Sequence, residues 1–279
     1  MSAASAVRPS ASAHSPAKYL EVARITWQSM LAYQADTWLG ALFSGSRVLL
    51  AYLLWSAIFA GQERVAGYTL PMMVTYSLLA TMLNRMQNQE AGAWQLAEEV
   101  REGQFSKYLA RPLSVHAYFL AAGIGRWAFM LVINLVTLLV WALAFSAWIV
   151  LPENPVDLLW LVLLLPLGAL FMLLLNHAIG LLSLKFVDIL GFMFTKATLL
   201  ELLSGALIPL TLLPAGVVAL LRYTPVYYVV YYPISLFLGQ QSEPPLLAAG
   251  VLAAWCLVMY VICETWYRYA RKFYEGVGV

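Results

Sequence analysis

Charge is what this sequence has least of. Only 11% of its 279 residues are Asp, Glu, Lys or Arg, where a soluble domain has roughly a quarter. Hydrophobic residues make up 62% and the mean hydropathy is +0.77. So few charges cannot cover a water-facing surface, so lipid must solvate much of the chain. A net charge of +2 is too small to attract nucleic acid. Cysteine is scarce too. Cys256 and Cys263 lie in one apolar run, two helical turns apart. That is beyond disulfide reach, and two thiols make no metal site; both are expected to be buried and inert. Residues 1–16 are rich in Ala and Ser and lack the apolar core of a signal peptide. They predict a disordered cytosolic tail, with a transit peptide as a weaker alternative because Arg8 is their single charge.

Long hydrophobic runs are what the sequence has in plenty. A helix of about 20 apolar residues crosses about 30 Å of hydrocarbon. The runs predict an all-α polytopic membrane protein with six transmembrane helices: 38–59, 69–83, 127–151, 158–184, 189–208 and 246–267. The fourth would bend around Pro166. Arg8, Lys18, Arg24, Arg85, Arg101, Lys107, Arg111, Arg126, Lys185, Arg268, Arg271 and Lys272 then fall on one side, and Arg64 and Arg222 on the other. That bias places both termini in the cytoplasm, in the inner membrane. Residues 17–36 predict an amphipathic interfacial helix. Leu20, Ala23, Trp27, Met30 and Leu31 share one face, and Lys18, Glu21, Arg24 and Gln28 the other. Residues 37–279 are expected to form one six-span membrane domain, with no evident internal repeat.

The largest polar stretch, 84–126, sits on the cytoplasmic side in this reading, with its loop at 87–115. Its centre, 91–103, reads as a short helix stopped by Gly103, followed by a second amphipathic piece ended by Pro112. Further on, Ser204-Gly205 and the prolines Pro209 and Pro214 break the fifth apolar run. Broken helices survive at membrane depth only where protein or water satisfies the freed backbone. The pattern predicts a re-entrant hairpin between spans five and six. Tyr223, Tyr227, Tyr228, Tyr231 and Tyr232 would then form an aromatic belt at the outer interface, or a cation–π surface. Charges at membrane depth cost about 2.5–3.5 kcal/mol each on insertion scales. Arg47, Lys196 and Glu201 are such charges, with His177 and Glu264 near them in kind. Lys196 and Glu201 point roughly 140° apart on one helix, so each should meet a group elsewhere; Arg47 with Glu201 is one pairing. Glu264 and Arg268 stand at i,i+4 spacing, and Gly40 and Ser44 suit close helix contact.

Four of these features, taken in order, resemble the membrane subunit of type-2 ABC exporters, in the subgroup of short six-span permeases. They are the amphipathic helix before the first span, the loop Glu102-Gly103-Gln104…Leu109-Ala110-Arg111-Pro112-Leu113, the Ser204-Gly205…Pro209…Pro214…Pro225…Tyr232-Pro233 segment, and the basic aromatic tail Trp266-Tyr267-Arg268…Glu275-Gly276-Val277-Gly278. The resemblance implies a non-catalytic permease that moves a hydrophobic or amphipathic drug, lipid or peptide out of the cytoplasm by alternating access. No Walker-type Gly-rich loop is present on the chain. It implies that ATP and Mg bind on two separate ATPase subunits, and that a second permease, identical or similar, completes the pair. Trp94, Glu98, Glu99, Arg101 and Glu102 would then couple to the ATPase. Arg47, Lys196 and Glu201 would be candidates for the substrate path, formed where the permeases meet. Two rivals carry less. A secondary transporter or channel needs a carboxylate cluster at midplane, and only Glu201 qualifies. An intramembrane serine protease built on Ser204 and His177 has no second motif.

Overall fold

The fold, taken from a computed structural model, is described for residues 16–32, 34–87, 89–110, 114–152, 154–186, 188–241 and 243–274. Of the expected tail (1–16), residues 1–15 lie outside the described residues, as do Arg111, Pro112, Leu113 and Glu275 to Gly278; Pro16 opens the first helix instead. Within the described residues the regular structure is helical, with one isolated bridge between Val65 and Tyr68.

The expectation of six transmembrane helices is corrected to four. Among the described residues, four helices are long and apolar enough to cross a membrane. They are α2 (Gln34–Ile58), α6 (Val115–Ala144), α7 (Pro155–Leu182) and α12 (Pro245–Ala270). The other two expected spans fail for different reasons. Helix α3 (Leu70–Gln87) has 18 residues but ends on Asn84, Arg85 and Gln87. Helix α8 (Leu190–Leu203) has 14 residues, about 21 Å at 1.5 Å each.

Both short helices nevertheless have a defined path. Trp55 on α2 donates to Ser77 on α3, and Arg85 at the far end of α3 donates to the Thr37 carbonyl at the start of α2. So α3 runs back along α2. Helices α2 and α6 are parallel: Gly45 abuts Trp141 and Tyr52 packs on Trp148. Helices α7 and α12 are also parallel, since Cys256 meets the Leu167 carbonyl and Cys263 the Leu174 carbonyl at the same offset of 89 residues. Each parallel pair needs a return pass, and α3 and the broken segment after α7 provide them.

Local chemistry sets the helix ends. Helix α6 starts twelve residues before the expected third span, because the Ser114 side chain caps it at the Ala117 N–H. Asn154 caps α7 in the same way, with Pro155 in its first turn. Helix α7 continues through Pro166. Helix α8 stops at Gly205, whose φ of +80° is left-handed and favours glycine. The Gly205 carbonyl accepts from the Tyr76 hydroxyl at 2.6 Å, and the Ser204 carbonyl from the Tyr231 N–H at 3.0 Å. Pro209 and Pro214 then open a short 3-10 turn and α9 (Ala215–Leu221). Helices α10 (Pro225–Val229) and α11 (Tyr231–Phe237) complete the return.

The tyrosines of that segment are core, not a belt. Tyr227, Tyr228, Tyr231 and Tyr232 are at most 3% exposed, and only Tyr223 of the five faces outward. They survive burial because their polar ends are answered: Tyr228 donates to the Arg222 carbonyl and Tyr232 to the Glu243 carbonyl. They pack with Tyr68, Tyr76, Met73 and Leu210 in the main hydrophobic core.

Helix α1 (Pro16–Ala32) lies against α6. Trp27 meets Phe129 edge-on, and Gly125 lets the Ala23 backbone approach so closely that a side chain at 125 would strike the Ala23 carbonyl. The apolar face expected for this helix is split: Ala23, Trp27 and Met30 turn inward, while Leu20 and Leu31 stay exposed. A Gly125→Leu substitution should therefore lift α1 from α6. The expected outcome is faster tryptic cleavage at Arg24 with little loss of total helix by circular dichroism; unchanged cleavage would show that Gly125 does not set this contact.

Candidate functional site

One end of the bundle gathers most of the polar groups. It carries α1, α4 (Ala91–Arg101), α5 (Ser106–Ala110) and the last turns of α7 and α12. Helix α4 is amphipathic, and its two faces have separate jobs. The inner face holds Ala93, Leu96 and Glu99. Gly180 on α7 makes room for it: a Cβ there would come within 3.0 Å of the Ala93 backbone. Leu96 joins Phe105, Tyr108, Leu181 and Leu184 in a second core.

Glu99 is 8% exposed and ion-paired with Lys107 at 2.8 Å, with Gln95 donating to the same oxygen. It therefore binds α4 to α5. Burial, and next the Glu99 carboxylate, hold the neighbouring Tyr108 phenol well above its ordinary range. Gly103, with φ +72°, ends the helix as its position implied.

The outer face presents Trp94, Glu98 and Arg101, followed by Glu102, all exposed. With Ala97 and, from the turn before α8, Asp188 and Ile189, the first three line a notch of about 270 Å³. An indole flanked by both signs of charge, on a helix held rigidly from behind, is chemically suited to gripping another protein. It offers no nucleophile–base pair.

A buried lock fixes this platform to the bundle. The Lys196 ammonium, on α8, lies 2.5 Å from a Glu90 oxygen just ahead of α4 and donates to Asn176 on α7 at 2.9 Å. Asn176 in turn donates to the Gln89 carbonyl. So Lys196 meets a group on another element, as expected, but that group is Glu90. No ion pair joins Arg47 to Glu201 among the described residues, and both side chains are exposed. A second polar chain lies nearby. His177 and His116 approach to 2.8 Å, and His116 meets Glu264, which also pairs with Arg268 as its spacing implied. Glu90, Asn176, Asp188 and His116 were not legible as site residues, because nothing local in the sequence marks a contact 20 to 106 residues away.

A family described as "ABC-2 family transporter protein" matches residues 46–278. The chain belongs to that family. It is a multi-pass permease of the ABC-2, type-2 exporter kind and a non-catalytic one. Among the described residues no group of three or more His, Cys, Asp and Glu is placed to hold a metal. Comparison with curated proteins gives no match.

The lock yields a direct expectation for this permease. Removing one member of a buried ion pair strands the other, typically at a cost of about 3–5 kcal/mol. Glu90 is partly exposed, so Lys196→Met should cost about 3 kcal/mol, read as a lower unfolding midpoint in detergent. Adding Glu90→Gln to Lys196→Met should recover part of that loss. A single variant as stable as the parent protein would remove the lock from the account.

Proposed function

We propose that this permease is the membrane half of an ATP-driven exporter, and that α4 is the element through which a separate ATPase pushes on it. The observation that supports this best is the division of α4. Its back is pinned by Gly180, Leu96 and the Glu99–Lys107 pair, and its front offers Trp94, Glu98 and Arg101 around an open notch. A lever must be rigid where it meets its load and exposed where it is driven. In this reading Trp94, Glu98, Arg101 and Glu102 touch the ATPase, and Glu99 braces the helix from behind.

Two ATPase subunits, holding ATP and Mg, drive two permeases. Their closure tilts α4, and the Glu90–Lys196–Asn176 lock passes the movement to α7 and α8. The permeases then rock between inward- and outward-open states. This assigns Lys196 to force transmission, not to substrate contact. The substrate is hydrophobic or amphipathic and moves outward along the surface where the permeases meet. The α4 end faces the cytoplasm in this arrangement, in keeping with the Lys and Arg bias, and the membrane is the inner membrane.

The test is copurification of a Walker-motif ATPase with the full-length permease. Trp94→Ala and a Glu98→Lys, Arg101→Glu double variant should each release the ATPase while the permease stays folded in the membrane. Retention of the ATPase by both variants, or labelling of a cysteine at position 98 from outside the cell, would overturn the reading.

A further inference from the structure

Two arginines of the α2–α3 pair line one crevice. Helix α2 contributes Gly40, Phe43 and Arg47, at i, i+3 and i+7, and α3 contributes Thr81, Asn84 and Arg85, at i, i+3 and i+4. Each set shares one helix face, and the two faces border a space of about 360 Å³. No Asp or Glu is among the described residues that line it. Like charges on one recess disfavour each other, and in a low dielectric the repulsion is poorly screened. The crevice lacks the counter-charge that its own residues call for.

Arg85 adds a second, independent sign. Its Nη2 donates to the Thr37 carbonyl at 2.6 Å, which fixes the guanidinium in place. Its Nη1 is enclosed and has no hydrogen-bond partner, where a buried donor ordinarily has one. Gly40 makes the room beside it: a Cβ there would stand 3.0 Å from Nη2 and 4.0 Å from Nη1. Arg47, across the crevice, is exposed. Arg126 also buries an unpaired Nε, but its guanidinium is pressed against Gly92 of α4 and does not line this crevice.

The surroundings describe the rest of the ligand. Arg85 and Thr37 stand at the end of the bundle from which the chain enters α4, so the crevice lies in that half of the membrane. Beyond Arg47, toward the far end, Leu50 and Leu54 at i+3 and i+7 are exposed on the same side of α2, and Phe43 is exposed at the crevice itself. A cationic recess continued by an apolar track fits a molecule with an anionic head and a hydrocarbon tail. Two guanidiniums call for about two negative charges. A phosphate monoester carries about −1.5 to −2 near neutral pH, whereas a carboxylate carries one, and the guanidinium fork matches phosphate oxygens.

We propose that the α2–α3 crevice binds the phosphate monoester head of a membrane amphiphile. Arg47 and Arg85 hold the phosphate, and the tail lies along Leu50 and Leu54. This rests on the proposed function in one respect, since it gives the exported amphiphile an anionic head. The binding itself needs no ATPase, so it can fail separately.

The experiment measures binding of radiolabelled dodecyl phosphate to the full-length permease in phosphatidylcholine nanodiscs, without the ATPase. Saturable binding is expected, weakened about tenfold or more by Arg47→Gln and partly recovered by Arg47→Lys. Arg47 is exposed, so neither change disturbs the core. Gly40→Val, which crowds the Arg85 guanidinium and keeps its tie to Thr37, should weaken binding as well. Inorganic phosphate should compete only at concentrations about a hundredfold higher, because it lacks the tail, and dodecyltrimethylammonium should not compete. Equal affinity for inorganic phosphate would assign the crevice to the free ion and overturn the proposal. Absence of saturable binding, competition by the cationic amphiphile, or undiminished binding to Arg47→Gln and Gly40→Val would overturn it too. Copurification of the ATPase through α4 is read separately, so its loss with binding intact sinks the proposed function alone.

Discussion

A single buried ammonium joins three parts of this permease that are far apart in sequence. Lys196 reaches from α8 to Glu90 at the root of α4 and to Asn176 on α7. In a low-dielectric interior a lysine must be answered or neutralised, so these three elements cannot drift independently. The platform at the bundle end, the short return helix and a spanning helix behave as one body because of it. Gly180 under Ala93 and the Glu99–Lys107 pair tighten the same joint from the side.

Polar satisfaction also explains how a broken segment lies in an apolar protein. Helix α8 is too short to cross, and the chain beyond it turns at Gly205. The freed carbonyls at Ser204 and Gly205 are taken by Tyr231 and Tyr76, and the tyrosine hydroxyls that would be stranded in the core are taken by backbone at Arg222 and Glu243. The irregular backbone and the buried phenols are therefore mutually necessary.

Much of the architecture was legible because it depends on local composition. Helices α2, α7 and α12 follow from the apolar runs within a few residues, and α4 from its amphipathic spacing and Gly103. The count of spans was not legible. An apolar run reports that lipid or protein can bury a segment, and α3 and α8 are buried partly by protein, which relaxes the length and polarity a lone span would need. The start of α6 was missed for a related reason. Residues 115–126 are helical but not part of the apolar run, so only the Ser114 cap could have indicated them. The tyrosines were misplaced because an aromatic belt and a hydrogen-bonded aromatic core have the same composition.

The sequence by itself determined the solvent, the helical class and the existence of a short amphipathic helix in the polar stretch between α3 and α6. These follow from hydropathy and periodicity, which are properties of neighbours along the chain. Only the tertiary structure decided which charges are spent inside and which are left outside. Glu99 turned inward and Glu98 outward, Lys196 found Glu90, and Arg47 and Glu201 stayed exposed. Partner choice for a charge is set by distance in space, and two residues 106 apart in sequence come within 2.5 Å only because α8 folds back beside α7.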